Sequence, residues 1–114
     1  MPSDCIFCKI ADGEIPASKV YEDDLVMAFK DINPVAPVHV LVIPKRHLES
    51  MNDLHAEDTP LLGALIAAAQ RVAREQGVAE SGYRLVTNIG KDSGQVVKHL
   101  HFHVMGGKTL GAIG

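Results

Sequence analysis

His99, His101 and His103 stand at every second position of "HLHFHVMGG", with Leu100, Phe102 and Val104 between them. Side chains of an extended strand alternate faces, so the three imidazoles share one face and the three apolar residues share the other. Neighbouring imidazoles on that face are roughly 6.6 Å apart. Such a row suits a ligand or substrate spread over several ångströms. On a helix the same spacing would scatter the histidines around the axis. A lone histidine is ordinarily a packing or surface residue, whereas three in register point to shared chemistry. The run is interspersed and internal, unlike an expression tag.

The loop "NIGKDSGQ" leads into this row. Gly90 and Gly94 let backbone N–H groups come close to an anion. Taken alone, such a loop is an ordinary turn; beside an imidazole row it is a candidate phosphate cradle. Cys5 and Cys8 form a C-x-x-C pair, which fits buried thiols, a redox pair or half of a metal site. The βαβ context of a redox pair is missing from the sequence pattern.

The elements that must position these groups read as follows. "CIFCKIADGEI" is a short helix or turn. "KVYEDDLVMAFKD" is a hairpin turning near Glu22–Asp24. "INPVAPVH" is a proline-rich connection, and "VHVLVIP" is a buried strand ending at Pro44. A long helix follows "AEDT", with Thr59 as cap, Pro60 in the first turn and Gly77 as stop. Leu62, Leu65, Ile66, Ala69, Val72 and Ala73 form its apolar stripe. Tyr83 to Asn88 is another strand, and the histidine strand comes last. His39 and His55 fall in no motif and read as ordinary surface or packing residues. This order predicts an α+β fold with a mainly antiparallel sheet and the helix on one face.

At 114 residues, with 46% hydrophobic and 22% charged residues, the chain reads as one globular domain, 1–114. A net charge of −3 without a basic run argues against nucleic acid as a partner. "MPSDCIFCKI" lacks a signal-peptide pattern, and "LLGALIAAAQRVA" is too short to span a bilayer, so the expected location is cytoplasmic with no membrane contact.

His99 to Met105 resembles the His-φ-His-φ-His-φ-φ signature of the histidine triad (HIT) family. "IFCKIADGEIPASKVYEDDLVMAFKDINPVAPVHVLVIPKRH" is similar to the N-terminal half of its Hint branch, the purine nucleoside phosphoramidases, and "GYRLVTNIGKDSGQ" and "GGK" fit as well. The resemblance implies a five-stranded, mainly antiparallel sheet with one long helix and a short N-terminal helix. It also implies a homodimer whose two sheets join into one. Members bind purine nucleoside monophosphates and cleave a bond at the α-phosphorus, typically P–N. By the same resemblance His101 is the nucleophile, held in one tautomer by the carbonyl of His99. His103 and the loop amides of Gln95, Val96 and Val97 stabilise the non-bridging oxygens, with Asn88 and Gly94 on the phosphate side. Asp31 accepts from the ribose hydroxyls beside Ile32, and Ile6, Phe7, Ile10 and Phe29 form the purine pocket.

Some bacterial members bind zinc with a C-x-x-C pair and two histidines, which match Cys5, Cys8, His47 and His99. The expected site is closed and structural, its soft thiolates and imidazoles suiting tetrahedral zinc. Two features depart from the pattern. Val96 stands where many members carry a hydroxyl near the leaving group, and the sequence ends at Gly114 where members often extend further. Both bear on turnover and substrate selectivity. The expected function is hydrolysis of purine nucleoside 5′-phosphoramidates through a nucleotidyl-histidine on His101. The alternative is a nucleotide-binding, zinc-stabilised interaction module with incidental turnover, and steady-state cleavage separates the two. A barrel-type H-x-H metal hydrolase would need some 250 residues.

Overall fold

The computed structural model describes residues 4–113. The chain first doubles back at Asp23, whose Oδ1 accepts from the N–H groups of Leu25 and Val26 at 2.8 and 2.9 Å. This Asx turn joins β1 (Lys19–Glu22) to β2 (Val26–Lys30), as the acidic turn signal predicts. β3 (Val38–Pro44) lies next to β2, β5 (Phe102–Gly106) next to β3, and β4 (Tyr83–Val86) closes the far edge. The sheet order is β1-β2-β3-β5-β4, and every neighbouring pair is antiparallel. The helices are α1 (Ile6–Ala11) and α2 (Thr59–Glu75).

Strand alternation divides the core in two. Val26, Ala28, Val40, Val42, Phe102 and Val104 pack with the buried stripe of α2 on one face. Met27, Phe29, Leu41 and Ile43 pack with Phe7 of α1 on the other. β3 is covered on both faces, which explains its unbroken apolar sequence.

Several expected boundaries shift. The histidine row begins before its strand, because β5 pairs with β3 only from Phe102 opposite Val42. Pro44, at the end of β3, has no N–H to extend the ladder. Leu100 N–H donates instead to Leu48 O at 2.6 Å, and the Thr87 hydroxyl to His101 O at 2.7 Å. β4 accordingly stops at Val86, short of Asn88. The alternation survives: Leu100 joins the α2-side core, while His99 and His101 meet Phe7 on the opposite face.

α2 starts one residue too early for Thr59 to cap it. Asp58 occupies the cap position, and Thr59 Oγ1 donates back to Ala56 O at 2.7 Å. Gly77 ends the helix with φ of 77°, as expected of a left-handed stop. The buried stripe is Leu61, Leu65, Ala68, Ala69, Val72 and Ala73, with Leu62 and Ile66 only half-buried at its margin. Among the described residues no helix is long and apolar enough to cross a membrane.

Candidate active site and metal cluster

β3, β5, α1 and the loop after β4 enclose a cavity of about 570 Å³. His101 is buried at its wall. Its Nδ1–H donates to the carbonyl of His99 at 2.7 Å, which leaves the Nε2 lone pair free. Burial lowers the His101 pKa more than the hydrogen bond to His99 raises it, so the ring is a neutral base at neutral pH.

The neighbouring ring is set by a chain of contacts that starts at a backbone amide. Val35 N–H donates to His39 Nδ1 at 3.1 Å, committing the His39 proton to Nε2. That Nε2 lies 2.9 Å from His103 Nδ1 and 3.4 Å from Asp31 Oδ2. His39 therefore donates to His103 Nδ1, and the proton of neutral His103 sits on Nε2. Burial, then the adjacent His101 and His39, push the His103 pKa down to about 4. Two lining histidines thus have opposite roles by tautomer alone: His101 offers a lone pair and His103 an N–H.

The ligand atoms of Asp31, His39 and His103 lie close enough together to suggest a second metal site. The tautomer argues otherwise. A His39 that accepts from Val35 N–H and also coordinates through Nε2 would have to be an imidazolate. The trio is a hydrogen-bonded relay. Sequence alone marks His39 as an ordinary surface or packing residue; in the fold it is buried, lines the cavity and orients His103. Its place in "VHVLVIP" puts it on the face of Leu41 and Ile43, but only the pairing of β3 with β5 reveals what that face meets. His55 is exposed, as expected.

Of the expected nucleotide-binding residues, Ile6, Phe7, Ile10, Phe29, Asp31, Ile32, Asn88, Gly94, Val96, Val97, His101 and His103 all line the cavity. Ile15, Pro16 and Ala17, which follow α1, extend the apolar wall without any motif to announce them. Phe7 stacks edge-on against Phe29, His99 and His101, with centroids 5.6, 5.9 and 5.2 Å apart. Asp31 Oδ1 accepts from Asn33 N–H at 2.8 Å, and its carboxylate sits at the cavity rim.

Gln95 does not line the cavity. Its amide oxygen accepts from Gly90 N–H and its amide nitrogen donates to Glu49 O and Val97 O, so its side chain braces the loop from outside. Asn88 Nδ2 donates to Ser93 O at 2.8 Å, closing the loop from the strand side. Gly94 takes φ of 84°, with open space where a Cβ would stand. The need for glycine there is conformational. Among the described residues, Val96 and Val97 N–H donate to no backbone carbonyl. Such amides are suited to an anion.

Behind this wall Cys5, Cys8, His47 and His99 bring four donor atoms together. His99 Nδ1 is 3.3 Å from Cys5 Sγ, 3.5 Å from Cys8 Sγ and 3.2 Å from His47 Nδ1, and Cys8 Sγ is 3.2 Å from His47 Nδ1. His99 Nε2–H donates to Pro44 O at 2.9 Å, turning the Nδ1 lone pair toward the thiols. Burial, then the hydrogen bond with Cys5, push the Cys8 thiol up to about 12. The group can hold a metal ion. Four protein donors would fill a tetrahedral ion, the closed set expected; Cys8 and His99 are buried, and Cys5 and His47 border a surface cleft of about 440 Å³.

Three alternating histidines that lead into β5, two of them lining the cavity and the first joining the donor cluster behind it, define a histidine-triad site beside the glycine loop and the short N-terminal helix. Residues 12–110 match the HIT domain family model. The purine nucleoside phosphoramidase of Escherichia coli K12 is 47% identical over 97% of this chain and 93% of its own length. A histidine triad protein from Clostridium difficile superposes with a TM-score of 0.95 at 47% identity, over 100% and 99% of the two chains. A HIT family hydrolase from Clostridium thermocellum does so with a TM-score of 0.95 at 46% identity, over 99% and 98%. The chain belongs to the HIT family.

Proposed function

We propose that this protein is a nucleotide hydrolase that cleaves purine nucleoside 5′-phosphoramidates at the P–N bond. The observation that carries this reading is the His101 tautomer: Nδ1–H is consumed by the His99 carbonyl, and Nε2 is a buried, neutral nucleophile on the cavity wall. The purine lies between the apolar side chains of α1 and Phe29, and Asp31 accepts from the ribose hydroxyls. The α-phosphoryl oxygens rest on the Val96 and Val97 amides and on His103 Nε2–H. His101 Nε2 attacks phosphorus, the P–N bond breaks, and the leaving nitrogen takes a proton from solvent, departing as the amine; the water of the second step returns that proton. Water then attacks the nucleotidyl-histidine, giving the monophosphate and restoring His101. The donors face charge as it develops, which is where they lower the barrier. Val96 supplies no hydroxyl beside the leaving group.

The cluster is assigned to zinc. Ordinary Zn–S and Zn–N bonds in a tetrahedron place N–N pairs about 3.3 Å and S–N pairs about 3.6 Å apart, which suits the observed N–N and S–N separations of 3.2–3.5 Å. The ion would tie α1 to the end of β3 and to His99, contributing to the stability of the fold. The unit is a homodimer through α2 and β4, acting in the cytoplasm on a purine nucleoside monophosphate derivative.

The test is His101→Ala. Hydrolysis of adenosine 5′-phosphoramidate should fall by roughly 10³-fold or more, as when a covalent nucleophile is removed. AMP binding, spread over base, ribose and phosphate contacts, should survive. Near wild-type turnover would refute the assignment. Wild-type protein that binds AMP without turnover would instead favour the interaction module.

A further inference from the structure

Two residues link the metal cluster to the cavity. His99 gives Nδ1 to the cluster while its carbonyl accepts from His101 Nδ1–H at 2.7 Å. Phe7, between the two cysteines on α1, packs its ring edge-on against both His99 and His101. Ile6 and Ile10 of the same helix line the cavity. α1 has only six residues, too few for a helix to hold itself in place. Its anchors are the packing of Phe7, Cys8, Ile10 and Ala11 and the donor cluster. The cluster is also reachable, since the cleft at Cys5 and His47 shares Ile6, Val96 and Val97 with the cavity.

We infer that Phe7 and His99 are positioning residues through which metal loading of the Cys5–Cys8–His47–His99 cluster sets nucleotide affinity and the reactivity of His101. This rests on the nucleotide and metal readings above. With the four donors drawn to one ion, α1 is pinned and its apolar side chains form a fixed base wall. Without it, two thiols face two imidazoles across weak hydrogen bonds, and α1 can shift with the wall it carries. The His99 ring is tied through Nε2–H to Pro44 O. Releasing its other nitrogen loosens the main chain whose carbonyl fixes the His101 proton. A His101 that loses that acceptor can carry its proton on Nε2, and the nucleophile is then gone.

The full-length protein is stripped with a chelator and reloaded with zinc, its metal content measured in each state. AMP affinity is read by calorimetry, kcat and KM on adenosine 5′-phosphoramidate, and the His101 tautomer by ¹⁵N NMR of the imidazole. Stripping should weaken AMP binding about tenfold, the scale of losing an outer-shell support. KM should rise with it, kcat should fall, and the His101 Nδ1–H signature should give way to a mixed-tautomer average; reloading should reverse all four. Phe7→Leu retains every donor, so it should still bind zinc but show a smaller ratio between loaded and stripped affinities. Zinc uptake that raises the melting temperature while affinity and tautomer stay fixed overturns the inference and leaves the metal purely structural. An undiminished ratio in Phe7→Leu overturns the role of Phe7. Failure to take up zinc refutes the metal assignment itself, and failure to bind AMP in any state refutes the nucleotide reading.

Discussion

His39 has no catalytic atom in contact with the proposed reacting phosphorus, yet it decides which nitrogen of His103 carries the proton. Val35 N–H, His39 and His103 form one directed chain, each link accepting from the one before. His39→Phe keeps a ring of similar shape and removes the donor. Loss of an oxyanion donor outright costs on the order of 10²-fold in kcat, so His103→Ala should approach that figure, and His39→Phe, which only releases the ring, should cost roughly tenfold. AMP affinity should change little in His39→Phe. Steady-state kinetics on adenosine 5′-phosphoramidate check this, and an unchanged kcat would mean that packing alone orients His103. The alternating imidazoles were legible because their spacing is itself the signal, whereas the C-x-x-C pair fits three chemistries by spacing and joins His47 and His99 only through the family resemblance. His39 was not, because a single histidine in an apolar strand carries no mark of the residue it will face across a sheet.

At the scale of elements, the antiparallel pairing of β3 and β5 carries buried His39 beside half-buried His103. The consequence is a pH dependence of stability. His103 has an ordinary pKa of 6.5 and is held at about 4 by burial and by the adjacent His101 and His39. Between those values the unfolded chain binds a proton that the folded chain refuses, so stability is complete above about 6.5 and falls as pH is lowered toward 4. Melting temperatures measured across that window should drop on acidification, and His103→Asn, which cannot take up the proton, should lessen the drop, leaving the part due to His99 and His101, whose pKa values burial also lowers. An equally steep decline in the variant would place the effect in other groups. The elements themselves were largely readable. Asp23 marks the first hairpin, Pro60 and Gly77 bracket α2, and proline ends β3. Boundaries moved where side chains bond elsewhere: Thr87 bonds to the His101 carbonyl just past the end of β4, and Thr59 Oγ1 donates back to Ala56 O from inside the first turn of α2, with Asp58 at the cap position. Those bonds join residues distant in sequence or depend on the last residue of a turn, so no local pattern shows them.

In the whole molecule, the two ends of the sheet are not equivalent. β1 and β4 are both edge strands, but β4 carries exposed apolar side chains at Tyr83 and Leu85, followed by Ile89. Its outer row of backbone N–H and C=O groups is a template for another strand. Leu62 and Ile66, at the margin of the α2 stripe, are only half-buried. A second copy of the chain related by a two-fold axis would satisfy both at once, because an isologous contact sets each patch against itself. The expected assembly is a symmetric dimer through α2 and β4. Light scattering at micromolar concentration should return twice the single-chain mass. Leu85→Asp places a charge on the edge and should shift the mass toward the monomer without altering the zinc content. Tyr83 and Leu85 lie outside the cavity lining, so that monomer should still bind AMP if each site is complete within one chain. A wild-type protein that runs at the single-chain mass would refute the dimer and leave β4 as an exposed edge.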